Sequence, residues 1–191
     1  MLEIVFGYLD RSSLITIFVL GLLSLYFILS VWIFTYRYLI LSNWHSKEID
    51  SIEHMHMGAT VVSNQSVLNS CIKRVSKPNK NILEMCEYAA TKEATKGLTL
   101  LSIVATTSPF VGLFGTVVSI LEAFAGLGGQ KSVTLSVVAP AISEALVATA
   151  AGIFVAIFAY SFHHLLKRKA YEVTTVIAMQ KDMILSSIES E

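Results

Sequence analysis

Three long apolar runs constrain this chain more than any other feature of its sequence. Residues 14–36 contain 23 residues without a charge, and residues 97–121 contain 25. The third run lies within the 35 residues from 132 to 166, where Glu144 is the one Asp, Glu, Lys or Arg. About 20 apolar residues cross the core of a bilayer, so each run is long enough to span it. With charged residues at only 15%, the sequence predicts an all-α membrane protein with three transmembrane helices.

The distribution of Lys and Arg predicts the orientation. Residues 37–96 carry eight and the C-terminal tail carries four, whereas the N-terminus and the loop after the second span carry one each. The positive-inside rule then places the N-terminus and that loop outside, and the tail in the cytoplasm. The first run exceeds a signal-peptide h-region, so we expect it to be retained. The predicted segments are an outer N-terminus (1–13), a first span (14–36), a cytoplasmic helical segment (37–96), a second span (97–125), an outer loop (126–137), a third span (138–164) and a cytoplasmic helical tail (165–191).

The second and third helices are predicted to extend into the cytoplasm. No proline occurs from Asn81 to Leu101, and neither glycine nor proline occurs after Gly152. The tail keeps an apolar stripe at helical spacing that is interrupted at Gln180. Two or three helices are expected within residues 37–96, which are too few for a separate domain with a sizeable core.

The cytoplasmic residues contain no pattern typical of an enzyme or a metal site. Cys71 and Cys86 fall where thiols stay reduced, so we expect structural thiols. His54-x-His56 lacks further spaced ligands, and no nucleophile–base pair or phosphate loop stands out. We therefore expect no catalysis, cofactor or metal, and the zero net charge implies no nucleic-acid partner.

Small residues recur at steps of three and four along the second and third runs. Such faces let helices approach closely and let hydroxyls hydrogen-bond across them. The sequence predicts that these residues pack helices together. They include Gly112, Gly115, Ser119, Ala145 and Gly152.

Two threonines on these faces are predicted to lie at one depth. Thr116 lies ten residues, about 15 Å, before Gly126, and Thr149 lies eleven residues, about 16 Å, after Val138. Because the helices run in opposite directions, both hydroxyls are expected near mid-membrane. For these threonines, helix packing and the lining of a polar path are equally open roles. A threonine can also satisfy its hydroxyl at a carbonyl of its own helix, so the hydroxyl alone does not indicate a path.

Glu144 favours the second role, the lining of a polar path, over packing alone. It lies six residues, about 9 Å, after Val138 and so nearer the outside. A charged side chain within the membrane costs about 2.5 to 3.5 kcal/mol on insertion scales, so it normally faces a protein interior or water. The sequence therefore predicts ion or proton handling.

Two prolines lie within the predicted spans. Pro109 interrupts the second span, so a helix kink or an alternative backbone partner is expected there. Pro140 is expected in the first turn of the third span.

The same residues carry a family likeness. Ser-Pro-Phe-Val-Gly-Leu-Phe-Gly-Thr-Val (108–117), Ala-Phe-Ala-Gly-Leu-Gly (123–128) and Val-Ala-Pro-Ala-Ile-Ser-Glu-Ala-Leu-Val-Ala-Thr-Ala-Ala-Gly (138–152) resemble the TolQ and ExbB proton-channel proteins, relatives of MotA. The likeness is specific over about residues 97–165. The sequence around Ser108 is slightly more similar to TolQ, whereas Val-Val-Ala-Pro is also similar to ExbB. MotA is disfavoured, because a four-span stator subunit would need one more transmembrane helix. Ala141, Ser143 and the short cytoplasmic segment depart from the pattern.

The resemblance implies a ring, commonly a pentamer, in the bacterial inner membrane around the helices of a single-span TolR- or ExbD-like partner. By that resemblance, Thr116 and Thr149 would line the path near the partner's aspartate, and Glu144 would face the lumen. Protons moving inward would drive a TolA- or TonB-like protein directed to the outer membrane. The alternative function is a non-conducting membrane scaffold, in which the small faces only pack.

Overall fold

The computed structural model describes residues 14–56, 66–73, 79–125 and 135–189, which are almost entirely helical and contain no strand. Three stretches are long and apolar enough to cross a membrane, which confirms the predicted fold class. The predictions for residues 1–13, for most of the loop at 126–137, and for the side chains of His54 and His56 lie outside the described residues. The helices are α1 (Leu14–His56), α2 (Val67–Ile72), α3 (Lys80–Ala94), α4 (Leu98–Ala125) and α5 (Leu135–Glu189).

The described residues fall into two compact units. The membrane unit comprises residues 14–32, 100–125 and 135–162, and the charged unit comprises residues 33–56, 66–73, 79–99 and 163–189. Within its described residues the membrane unit has no Lys or Arg, and its acidic side chains are Glu122 and Glu144. The unit boundaries therefore lie close to the predicted ends of the three spans.

The membrane unit has a core of small and branched side chains. Val19 and Leu23 of α1 pack against Ala148 and Val155 of α5. The ring of Phe27 lies 5.7 Å from that of Phe154 and 5.6 Å from that of Phe158, measured between centroids. Large apolar side chains cover the outside of this unit, as expected for a surface that meets lipid or other apolar helices. They include Phe110, Phe114, Leu121, Leu146 and Ile157.

In the charged unit, α3 begins and ends at identifiable caps. Asn79 accepts a hydrogen bond from the Ile82 backbone N–H at the N-terminus. At the C-terminus the Arg37 guanidinium of α1 donates to the carbonyls of Glu93 and Ala94, which complements the negative end of the helix dipole.

The helical stretch predicted before the second span is present as α3, and a short turn divides it from α4. A turn at residues 95–97 separates α3 from α4, and Gly97 has a φ of +87° within it. Residues with a side chain rarely adopt this left-handed backbone conformation, whereas glycine adopts it readily. The chain therefore breaks its helix just before the second apolar run.

The third long helix continues through the tail, as predicted. α5 has 55 residues, a length of about 80 Å at 1.5 Å per residue. It begins at Leu135, so Pro140 is its sixth residue and the prediction of a first-turn proline was wrong. Since proline has no N–H, it cannot donate to the carbonyl of residue 136 as the other residues of a helix do.

The prediction of two reduced thiols was also wrong for this structure. Cys71 of α2 and Cys86 of α3 form a disulfide, with their Cα atoms 6.1 Å apart. That separation lies in the usual range for disulfides. The pairing arises because α2 and α3 pack against each other.

Candidate functional site

Helices α4 and α5 of the membrane unit approach closely at Gly112 and Gly152. A Cβ atom built on Gly152 would lie 2.6 Å from the Ser108 carbonyl oxygen and 3.1 Å from the Gly112 Cα atom. One built on Gly112 would lie 2.7 Å from the Ala148 carbonyl oxygen. Both positions are thus filled by the backbone of the facing helix, and the two glycines allow this approach.

All three helices of the membrane unit meet at the next turn of α4. A Cβ atom on Gly115 would lie 3.0 Å from Val19 of α1 and 3.2 Å from the Ala148 side chain of α5. Ala145, one turn before Ala148, is 1% exposed. The small-residue faces of α4 and α5 therefore lie in a helix–helix interface.

A buried hydrogen bond joins α1 to α4 in the same unit. The hydroxyls of Thr16 and Ser119 lie 2.9 Å apart and are shielded from solvent. The spacing of small residues in the sequence singled out Ser119 but not Thr16. A threonine within an apolar run is the signal that could have pointed to it, because a hydroxyl in hydrocarbon needs a partner.

Thr116 is buried, and its hydroxyl is satisfied within α4. Its Oγ1 atom donates to the Leu113 carbonyl oxygen at 2.6 Å. Thr116 directly follows Gly115, and Thr149 directly follows Ala148, the residue that Gly115 contacts. The two threonines therefore lie within about one helical turn of the same level along the bundle.

Thr149 differs from Thr116 in its hydrogen bonding. Its Oγ1 atom is shielded from solvent and has no hydrogen-bond partner among the residues that the structure describes. Its Cα atom lies 3.1 Å from the Cβ position of Gly112, so the residue lies at the tight crossing. A buried hydroxyl without a partner costs free energy unless water or another molecule supplies one.

Glu144 is partly buried on α5. It lies five residues before Thr149, a distance of about 7.5 Å along the helix. It is the only acidic side chain of α5 within the described membrane unit. A carboxylic acid and an unpartnered hydroxyl therefore occur within about one and a half turns of the same helix.

Three hydroxyls precede Pro109 in α4, which is continuous through the proline. Thr106 donates to the Ser102 carbonyl at 3.0 Å, Thr107 donates to the Ile103 carbonyl at 2.8 Å, and Ser108 donates to the Val104 carbonyl. Hydroxyls bonded in this way often bend helices. This turn therefore combines the missing N–H of proline with three side chains that bond to the backbone.

The charged unit contains a buried polar cluster that sequence reasoning missed. The Glu48 carboxylate accepts hydrogen bonds from the Trp44 indole at 2.9 Å, the Val67 backbone N–H at 3.0 Å and the Gln180 amide at 2.9 Å. The Gln180 amide oxygen accepts from the Ser66 hydroxyl at 3.0 Å. Glu48, Ser66 and Gln180 are each 0% exposed. The interruption of the apolar stripe at Gln180 was the available signal.

Ion pairs on the surface of the charged unit shift two pKa values. The hydrogen bond from Lys169, at 2.7 Å, lowers the pKa of Glu172. A hydrogen bond to Glu87, at 2.9 Å, raises the pKa of Lys181 and links α5 to α3. Such partly exposed pairs contribute little stability, typically about 0 to 1 kcal/mol. Within the described residues, no group of three His, Cys, Asp or Glu side chains could hold a metal ion.

The chain is similar to several proteins of known name. It is 38% identical over 187 residues to the biopolymer transport protein ExbB-like 1 of Helicobacter pylori, covering 97% of this chain and 99% of that protein. It is 33% identical over 124 residues to the biopolymer transport protein ExbB of Pseudomonas putida, covering 65% of this chain and 35% of that protein. It is 58% identical over 57 residues to the Tol-Pal system protein TolQ of Haemophilus influenzae, covering 30% of this chain and 25% of that protein.

Relatives with both names occur, so these similarities support the family and do not separate TolQ from ExbB. Residues 58–179 match the family described as the MotA/TolQ/ExbB proton channel family. That stretch includes α2, α3, α4 and most of α5. The chain belongs to the MotA/TolQ/ExbB proton channel family.

Proposed function

We propose that this chain is a subunit of a proton-driven motor in the bacterial inner membrane. It assembles as a homo-oligomer, expected to be a pentamer, around a single-span TolR- or ExbD-like partner. The complex couples the proton motive force to a TolA- or TonB-like protein that acts on the outer membrane. The chain moves protons and force and catalyses no covalent reaction.

Thr149 carries this proposal. Its hydroxyl is buried without a partner among the described residues, in the part of α5 that packs against α4. A buried hydroxyl without a hydrogen-bond partner suits a site where a water molecule, or a titrating side chain of a partner protein, binds during transport. Glu144, about 7.5 Å away along the helix, supplies a carboxyl group on the outer side of the same path.

The proposed orientation follows from charge. Of the 14 Lys and Arg residues, 12 lie in the segments 37–96 and 165–191. The positive-inside rule places these segments, and hence the charged unit, in the cytoplasm. Protons then enter from the N-terminal side and pass Glu144 before they reach the level of Thr149.

The test is proton flux through the complex purified with its partner and reconstituted in vesicles that contain a pH-sensitive dye. Thr149→Val removes the hydroxyl at nearly constant volume and is expected to abolish flux while the subunits still co-purify. Thr149→Ser keeps the hydroxyl and is expected to retain most of the flux.

A matched control lies on the same helix. Ser161 is exposed on α5, and its hydroxyl already donates to the Ile157 carbonyl at 2.8 Å. Ser161→Ala should therefore leave the flux unchanged. If Thr149→Val conducts as well as Ser161→Ala, the assignment of Thr149 to the path is wrong.

A non-conducting scaffold is the second candidate, and Thr116 favours it. The Thr116 hydroxyl is satisfied within its own helix at 2.6 Å, and the glycine contacts serve packing without any need for transport. A scaffold predicts no proton flux in vesicles with or without the partner, and a silent Thr149→Val variant. The flux measurement therefore decides between the two functions.

A further inference from the structure

The disulfide between Cys71 and Cys86 has no part in the proposed proton path. It lies in the charged unit and joins α2 to α3 across 15 residues of sequence. Cys86 is buried on the apolar stripe of α3, whereas Cys71 is partly exposed. Cys71 is therefore the more exposed residue of the pair.

Both cysteines line a cavity of about 290 Å³ in the charged unit. Its other lining residues are Trp44, Val67, Ala89, Ala90 and Glu93. A water molecule occupies about 30 Å³ in the liquid, so the cavity has room for a molecule of several heavy atoms. A small thiol or disulfide can approach the sulfurs from this side.

The disulfide holds α2 in place. This helix has six residues, and isolated helices of fewer than about 12 residues are marginal in water. Besides the disulfide, α2 is anchored by the Ser66 hydroxyl, which accepts from the Leu68 N–H, and by the bond from the Val67 N–H to Glu48. Opening the disulfide would leave α2 with its polar anchors and its packing alone.

We propose that Cys71 and Cys86 form a reversible dithiol–disulfide pair, a site of modification by low-molecular-weight disulfides. The proposal rests on the cytoplasmic placement of the charged unit proposed above. In that compartment thiols are kept reduced, and the disulfides that do form are usually transient or redox-sensing. The structure then represents the oxidised state of the pair.

The chemistry balances without a metal or a further cofactor. The Cys71 thiolate attacks a small disulfide, RSSR, to form a mixed disulfide and release RS⁻. The Cys86 thiolate then attacks the Cys71 sulfur, closes the protein disulfide and expels a second RS⁻. Two electrons pass from the protein to RSSR, and the two protons lost by the cysteines end on the two RSH molecules.

The test follows the pair in living cells that express the full chain with its complex. Thiols are trapped with acid and N-ethylmaleimide, and trypsin then separates Cys71, in peptide 48–73, from Cys86, in peptide 81–92. Untreated cells should give both peptides alkylated. A pulse of the thiol oxidant diamide should replace them with one disulfide-linked peptide pair, and this pair should disappear after the oxidant is removed.

Two results overturn the proposal. Linked peptides that never form under diamide show that the sulfurs do not pair in the native protein. Linked peptides that persist unchanged in untreated cells show a fixed structural bond. Cys71→Ser and Cys86→Ser are the controls, and neither should give the linked pair.

A membrane-impermeant maleimide separates this proposal from the proposed orientation. If it alkylates the reduced cysteines of intact cells, the charged unit faces outward, and both the orientation and the redox pair fail. If the cysteines are shielded from it but never pair under oxidant, only the redox pair fails.

Hydrogen exchange tests the structural effect of the bond in the purified complex. The amides of α2 should exchange faster in the dithiol form than in the disulfide form, whereas the amide of Leu83, fully buried in α3, should not change. Equal exchange of α2 in both forms would show that the bond does not control this helix.

Discussion

Replacing Gly152 with alanine tests the close approach of α4 and α5 in the membrane unit. The added Cβ atom would lie 2.6 Å from the Ser108 carbonyl oxygen, whereas ordinary van der Waals contact begins at 3.4 Å. The three atoms nearest to this Cβ position belong to the Ser108 and Gly112 backbones, so moving a flexible side chain aside cannot relieve the overlap. To relieve the overlap, α4 and α5 must shift apart by as much as 0.8 Å, the difference between these two distances.

A shift of this size carries a substantial cost. Overpacking a well-packed interior typically costs about 1 to 3 kcal/mol, and a gap of 0.5–1 Å forfeits about a quarter to a half of each dispersion contact along the interface. The higher helix propensity of alanine returns at most about 1 kcal/mol. We expect a net loss of about 2 kcal/mol, or about 4 to 8 °C in the thermal midpoint of a chain of this size.

Gly21 provides the matched control. It also lies in a helix of the membrane unit, but a Cβ atom there would meet nothing within 4 Å. Gly21→Ala should therefore be neutral or slightly stabilising. The assay is the thermal midpoint of the purified complex in detergent, and Gly112→Ala should follow Gly152→Ala, since its Cβ would lie 2.7 Å from a backbone oxygen. Equal midpoints for Gly152→Ala and Gly21→Ala would refute the reasoning.

Three further predictions concern hydrogen bonds and charge. Gln180→Leu leaves a buried carboxylate without one of its donors, so thermal unfolding should show a loss of about 3 kcal/mol; an unchanged midpoint would contradict the hydrogen-bond assignment. A double-mutant cycle with Thr16→Val and Ser119→Ala should give a coupling free energy of about 0.6 kcal/mol, typical of hydroxyls between membrane helices, and additive losses would mean that the bond is absent. The pKa of Glu172 is lowered from 4.5, chiefly by Lys169, so its contribution is present above pH 4.5 and is lost as the pH falls through the lower pKa of the folded state. The difference in unfolding free energy between wild type and Glu172→Gln, under about 1 kcal/mol at pH 7, should therefore vanish in acid.

The three spans and the long tail helix could be predicted from sequence because their signals are local. Apolar length is fixed by the bilayer, and the absence of Gly and Pro after Gly152 lets α5 continue to Glu189. The cap at the C-terminus of α3 could not be predicted in this way. Its donor, Arg37, lies 57 residues before Ala94 and belongs to another helix.

The residues of the candidate site could be predicted from the sequence, but their hydrogen bonds could not. The recurrence of small residues at every third or fourth position indicated the glycines of the α4–α5 interface. Nothing in the sequence shows that the Thr116 hydroxyl is hydrogen-bonded within its helix and that the Thr149 hydroxyl has no partner among the described residues. Likewise, the spacing of Cys71 and Cys86 does not reveal a Cα separation of 6.1 Å. These features depend on which helices become neighbours.

The buried cluster around Glu48 has a consequence for how α5 aligns with α1. An apolar stripe tolerates sliding, because a shift of three or four residues replaces one aliphatic contact with another. Only one alignment brings the Gln180 amide to both the carbonyl and the carboxylate of Glu48, 132 residues away in sequence. Any slipped alignment would bury an unmatched carboxylate, which is strongly unfavourable. The cluster therefore fixes the register of α5, the longest of the described helices, against α1.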